Sequence, residues 1–215
     1  MNSLESFNTK TRQAYNLAAD KYHDLFHNEM NEKEYDRNFL DFFTELFKPG
    51  AVICDAGCGP SGHIGKYLHD KGMKIIGVDI SDRCVELATL HNPEIRFLCE
   101  NIVQMSFPDK HFDGIVSYYS IINTPKKYVS RIFAEFHRVL KPGGYLLVAV
   151  KEGSDEGFIN EFIGIEAEIY FSLFSETEIR EYYTISGFEI FFIETRNPYD
   201  FEIKNERIFA IGQKV

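Results

Sequence analysis

Val52-Ile53-Cys54-Asp55-Ala56-Gly57-Cys58-Gly59-Pro60-Ser61-Gly62 decides the fold of this chain. An apolar run ends in an acid. Glycines then stand at the first, third and sixth places of a G-x-G-x-x-G spacing. Behind them, His63-Ile64-Gly65-Lys66-Tyr67-Leu68 reads as a helix, so the unit is strand, tight turn, helix. Glycine lets the backbone turn sharply and lets a ligand come close to it. The first turn of the helix leaves amide N–H groups for an anionic group. The stretch reads as a nucleotide-type cofactor site, glycines that serve packing alone being the plain alternative.

Asp55 separates two kinds of ligand. It stands two residues before Gly57, which places it at the mouth of the site. A dinucleotide would bring its pyrophosphate there, and a fixed carboxylate would repel it. S-adenosylmethionine brings a sulfonium, an ammonium and a carboxylate and no phosphate, so an acid beside the cations is favourable. The expected cofactor is therefore S-adenosyl-L-methionine, with S-adenosyl-L-homocysteine as product.

Working outward, Lys74-Ile75-Ile76-Gly77-Val78-Asp79 is a second buried strand, and a helix follows from about Asp82 to His91. Asp79 stands about 20 residues past Gly59, the separation at which an acid meets ribose hydroxyls in such folds. The alternative is an acid that caps the following helix, with Ser81 competing for that place. Ile80 would pack on the adenine face. Glu94–Leu98, Phe112–Ser117 and Tyr145–Val150 read as further strands. Lys126–Leu140 has helical periodicity, ended by Lys141-Pro142-Gly143-Gly144. Strands alternating with helices mean a mostly parallel sheet covered on both faces.

Asp55-Ala56-Gly57-Cys58-Gly59, Val78-Asp79-Ile80-Ser81, Phe112-Asp113-Gly114-Ile115-Val116 and Arg138-Val139-Leu140-Lys141-Pro142-Gly143-Gly144-Tyr145 carry a resemblance. Over residues 51–150 the chain resembles the class I S-adenosylmethionine-dependent methyltransferases of small molecules. Tyr15-Asn16-x-x-Ala19-x-x-Tyr22 also looks like the helix that covers the cofactor in many of them. The resemblance implies a Rossmann-like α/β fold with a seven-stranded, mostly parallel sheet and an antiparallel edge pair. It implies that Asn101 stands where relatives carry an acid at the adenine amino group, and that the backbone of Ile102 donates to the ring. Ser117 would lie near the methionine part of the donor, its carbonyl accepting from the ammonium. Tyr118–Pro125 would face the acceptor, with Asn123 where relatives often have His, and Tyr119 a weak candidate for orienting the acceptor. The cofactor-binding set is thus Tyr15, Tyr22, Asp55, Gly57, Gly59, Asp79, Ile80, Asn101, Ile102 and Ser117.

Two N-terminal helices are expected, over residues 8–27 and about Lys33 to Phe47. After the fifth strand, Phe158–Phe174 is rich in Phe, Ile and Tyr and fits either a strand pair or a short helix with a strand. An aromatic wall there suits a small or medium organic acceptor, although aromatic runs equally signal plain burial. Ser175-Glu176-Thr177-Glu178 looks like a capping box, and Phe188–Thr195 and Arg207–Gly212 like the last two strands. One domain over 1–215 is expected, with a helical cap at 1–48, a cofactor half at 49–150 and an acceptor side at 151–215.

With 44% hydrophobic residues in 215, the chain can bury one substantial core. A formal net charge of −10 with no long basic run argues against duplex nucleic acid as a partner. Four cysteines lack zinc-like or disulfide spacing, no signal peptide is visible, and the apolar runs are too short for a bilayer span. A soluble cytoplasmic protein without metal or membrane partner is the expectation. His23 and His27, four apart on a helix, have no third ligand nearby and read as a solvated face. A dinucleotide oxidoreductase and a non-catalytic S-adenosylmethionine binder remain the rival functions.

Overall fold

A seven-stranded sheet in the order β3-β2-β1-β4-β5-β9-β8 carries the molecule. The computed structural model describes residues 3–215. The parallel strands are β1 (Val52–Ala56), β2 (Lys74–Asp79), β3 (Arg96–Cys99), β4 (Phe112–Tyr118) and β5 (Leu140–Lys151). β9 (Arg207–Lys214) runs antiparallel between β5 and the edge strand β8 (Phe188–Arg196). This is the Rossmann-like arrangement with an antiparallel edge expected above.

Strand alternation sends neighbouring residues to opposite faces. In β1, Cys54 joins Phe133, Phe136 and Tyr183 in one core cluster. Ile53 joins Phe39, Leu40, Phe43 and Leu68 in the other. The first face is covered by α5 (Lys126–Val139) and α6 (Glu176–Ile185), the second by α2 (Glu34–Glu45) and α3 (His63–Asp70). Each truncation of a fully buried Phe here costs about 3–5 kcal/mol. Tyr183 is fully buried because its hydroxyl donates to the carbonyls of Leu146 and Ala210. Its ring needs the bare backbone of Gly212, where a Cβ would stand 2.4 Å from it.

The helix α1 spans Leu4–Phe26, four residues earlier than the periodicity indicates, because the Ser3 hydroxyl accepts from the Ser6 amide and starts it there. It lies between two other parts of the molecule. Ala14 packs with Ala167 and Ile169, and Ala19 with Cys84 and Leu87 of α4 (Asp82–His91). Phe158–Phe174 resolves as a strand pair, β6 (Glu156–Phe162) with β7 (Ile165–Ser172), forming a separate two-stranded sheet. Phe7 of α1 stacks on Phe158 at 5.4 Å. The hairpin and α1 thus bury each other, which neither could do alone. The helix α5 ends at Val139, as expected, just before Lys141-Pro142-Gly143-Gly144, but that stretch is not a separate turn. It lies within β5, where the pairing with β4 shifts register between Phe112 and Gly114. No helix among the described residues is long and apolar enough to cross a membrane.

Candidate functional site

Strand order reverses between β1 and β4, and a cleft opens there at the C-terminal edge of the parallel strands. It encloses about 880 Å³, counting the part open to solvent. Gly57 and Gly59 line it in the left-handed region, at φ 83° and 62°. Gly57 must be bare for a second reason, since a Cβ would stand 2.2 Å from the Ser120 Cβ.

The loop amides are mostly not free. Those of Gly57 and Cys58 donate to the Val78 carbonyl at 2.8 and 3.0 Å, and that of Gly59 donates to Asp79 Oδ2 at 2.9 Å. The loop is tied to the end of β2 rather than held open as an anion cradle. The other Asp79 oxygen accepts from the Ser81 amide at 2.9 Å. Ser81, not Asp79, caps α4, its hydroxyl accepting from the Cys84 amide. A carboxylate has about four acceptor positions, so Asp79 retains capacity toward the cleft it lines. Burial raises its carboxyl, against hydrogen bonds from the Ser81, Gly59 and Ile80 amides.

Asp55 is not at the mouth of the site. It is 1% exposed, absent from the cleft wall, and accepts from the Gly65 amide in the first turn of α3 at 2.9 Å. The α3 terminus therefore binds the chain's own carboxylate. Burial pushes that carboxyl up to about 7. Ser117 is likewise displaced from its expected place. It is fully buried behind the wall, its hydroxyl 2.6 Å from that of Ser120, which does line the cleft.

Tyr15, Tyr22, Ile80, Asn101 and Ile102 line the cleft together with Gly57, Gly59 and Asp79. Asn101 Oδ1 also accepts from the Val103 amide at 3.0 Å, leaving one lone pair. The rings of Tyr15 and Tyr22 stand 5.9 Å apart on one face of α1. Tyr15 donates to Asn123 Oδ1 at 3.0 Å, and Asn123 in turn donates to the Tyr170 carbonyl at 2.8 Å. Asn123 is thus a tie between α1, the segment after β4, and β7.

Residues 54–148 match the model of a family described as "Methyltransferase domain". The chain is 35% identical over 102 residues to a 24-methylenesterol C-methyltransferase 2 of Arabidopsis thaliana, covering 45% of this chain and 28% of that protein. It is 38% identical over 109 residues to the 2-methyl-6-phytyl-1,4-hydroquinone methyltransferase of Synechocystis, covering 49% and 33%. The Synechocystis magnesium protoporphyrin IX methyltransferase, a structure with bound S-adenosylmethionine, superposes with a TM-score of 0.75 at 17% identity, covering 100% of each chain. The chain has the fold of that Synechocystis methyltransferase, and its residues 54–148 are similar to a methyltransferase domain. The alignments span less than half the length of the curated relatives it matches.

The glycine loop, Asp79, Ile80 and Asn101–Ile102 form one part of the cleft wall. Another part of the wall holds residues that no local motif announces. Glu29 lies on a 3-10 turn after α1 and lines the cleft with His63. The two meet at 2.9 Å, and Glu29 also pairs with Lys33 at 2.7 Å. Lys33 reaches Glu202 at 3.0 Å, Glu202 reaches Arg196 at 2.7 Å, and Arg196 reaches Asp36 at 2.9 Å. Tyr118 donates to Asp36. Burial raises the Glu29 and Glu202 carboxyls, but His63 and Lys33 outweigh it at the first. Arg196, the Tyr199 amide and Lys33 bring the second down to about 2. Tyr119 lines the cleft at φ 54°, an uncommon conformation for a bulky residue, and its buried hydroxyl has no hydrogen-bond partner among the described residues. The reading of His23 and His27 as a solvated face also changes. His23 is partly buried, stacked on His91 at 3.8 Å and on His27 at 4.8 Å. No metal-holding cluster occurs among the described residues.

Proposed function

We propose that this chain is a methyltransferase that binds S-adenosylmethionine at the part of the cleft formed by the glycine loop and Asp79, the donor end, and transfers its methyl group to a small or medium organic acceptor beside Glu29 and Tyr119, the acceptor end. The observation that carries the reading is Asp79, an acid at the C-terminal tip of β2 that faces the cleft beside two glycines of positive φ. It stands where a ribose would present its hydroxyls. The amides of Gly57, Cys58 and Gly59 are spent on Val78 and Asp79. That disfavours a dinucleotide, whose pyrophosphate needs such donors. The residues present fit the methyl donor. Asp79 would accept from the ribose, Ile80 and Ile102 would flank the adenine, and Asn101 Oδ1 has a lone pair for its amino group.

The bound cofactor supplies an electrophilic methyl on a sulfonium. The chain's own contribution is alignment and exclusion of water. Tyr15 and Tyr22 place α1 across the cleft, and the Tyr15–Asn123–Tyr170 tie fixes it to the hairpin. Asn123 cannot take a proton, so no general base is assigned to that position. Small-molecule acceptors are consistent with the relatives named for sterol and hydroquinone substrates. We place the protein in the cytoplasm, on an acidic chain whose four cysteines form no pair.

The test is incubation with S-adenosylmethionine and a panel of small acceptors, read as release of S-adenosylhomocysteine. Acceptor-dependent release is expected. Donor binding without release for any acceptor would instead favour a non-catalytic binder.

A further inference from the structure

Next to Glu29 and Tyr119, which line the cleft, four cations face three carboxylates. Lys33 and Arg196 share Glu29, Glu202 and Asp36 through the contacts above, and Arg207 stands 3.8 Å from Glu202. The fourth cation is Lys151, the last residue of β5. It lies directly opposite Arg207, the first residue of β9. Among the described residues its ammonium has no ion-pair or hydrogen-bond partner.

Two like charges directly across an antiparallel ladder destabilise it. Here they are also withdrawn from water: Arg207 is 3% exposed and Lys151 partly buried. Burial, then Arg207 and Lys33, holds the Lys151 ammonium below its ordinary range. In a chain of net charge −10 this is a local reversal of sign. Its position is the ligand edge of the sheet. Arg207 and Lys33 stand 6.0 and 5.8 Å from the ring centre of Tyr119, which lines the cleft.

The geometry points to an acceptor that carries a carboxylate, seated beside Tyr119 with its charge toward the Lys151–Arg207 pair. This deepens the methyltransferase reading and rests on it. Arg207 is matched by Glu202 and by the Asn205, Glu206 and Ile203 carbonyls, to which it donates. The unmatched Lys151 beside it costs stability in the free protein, and an incoming carboxylate supplies the missing charge. The three resident carboxylates do not reach Lys151, because they are held by Lys33, Arg196 and Arg207.

The experiment uses the full chain saturated with S-adenosylhomocysteine and compares benzoate with benzamide by calorimetry, in wild type and Lys151→Met. Thermal unfolding of both ligand-free proteins is measured alongside. Benzoate should bind at least about tenfold more tightly than benzamide to wild type, the effect of a charge-assisted hydrogen bond. In Lys151→Met the preference should shrink to about twofold or less, and the ligand-free variant should melt higher than wild type. Equal affinities for the two compounds in wild type, including binding of neither, would overturn the proposal. So would a lower melting temperature in the variant, which would mean that Lys151 is a structural cation already satisfied. Failure of S-adenosylhomocysteine itself to bind would strike the underlying methyltransferase reading instead.

Discussion

The two ends of the cleft are assembled differently. The donor end comes from short consecutive stretches, 57–59, 79–80 and 100–103, each held by its own backbone. Gly57 and Cys58 bond the Val78 carbonyl, and Asp79 bonds both the loop and the start of α4. The acceptor end collects Glu29, Lys33, Asp36, Tyr119, Lys151, Arg196, Glu202 and Arg207 from distant parts of the chain. Side-chain ion pairs bind Glu29, Lys33, Asp36, Arg196, Glu202 and Arg207 together, with Tyr119 and Lys151 set against that network. One end is specified by backbone conformation, the other by a charge network. Substitutions should therefore fail in different ways.

The largest stability effect belongs to the network. Asp36 is fully buried, and Asp36→Ala strands Arg196 with only Glu202 for company. Removing one partner of a buried pair costs about 3–5 kcal/mol, here toward the lower figure because Glu202 remains. Denaturant unfolding measures it. Affinity for S-adenosylhomocysteine, taken where the variant is folded, should stay within about twofold of wild type if the two ends are independent.

Gly57→Ala should do the reverse. The added Cβ meets Ser120 and forces a positive φ on alanine, a strain of about 1–3 kcal/mol that the loop relieves by moving. Donor affinity should fall tenfold or more, as calorimetry would read. An unaffected dissociation constant would mean that the loop does not touch the cofactor.

A pH experiment sharpens the description of Asp55. Burial raises its carboxyl from 3.8 to about 7 in the folded chain. A raised folded value means the folded state binds more protons between about pH 4 and pH 7, so this group's contribution to stability is lost as pH rises through that window. The stability difference between wild type and Asp55→Asn should therefore move in favour of the variant from pH 4 to pH 7. A difference that is flat in pH would leave Asp55 ionised throughout.

The smallest effect expected is at the seam between the ends. Tyr15→Phe removes one hydrogen bond to Asn123, worth about 0.5–1.5 kcal/mol. Methyl transfer should slow by a few fold with little change in fold. Hydrogen exchange of residues 3–24 should show weaker protection by donor analogue than in wild type. Equal protection with and without ligand in wild type would mark α1 as a permanently packed helix.

This asymmetry also explains what could be read from the sequence. The glycine spacing, the acid at Asp79 and the alternation of strands and helices are local patterns, and the sheet follows from them. Asp55 misled because its position relative to Gly57 says nothing of which way its side chain turns, and the unsatisfied Gly65 amide turned it inward. The hairpin β6–β7 stayed ambiguous because its aromatic run fits either period until Phe7 and Ala14 of α1 are brought against it. Nothing local marks Glu29, Lys151 or Arg207 as neighbours of Tyr119. Only the β5–β9 register and the turn after α1 bring them together.

The central claim is that Asp79 holds the ribose of a methyl donor in this cleft. Calorimetric titration of S-adenosylhomocysteine into wild type and Asp79→Ala tests it, with NADH titrated in parallel and circular dichroism to verify the fold. Wild type should bind S-adenosylhomocysteine, Asp79→Ala should bind it at least about tenfold more weakly from the loss of a charged hydrogen bond, and NADH should show no comparable affinity. An unchanged dissociation constant in the variant, or tighter binding of NADH than of S-adenosylhomocysteine to wild type, would contradict the claim.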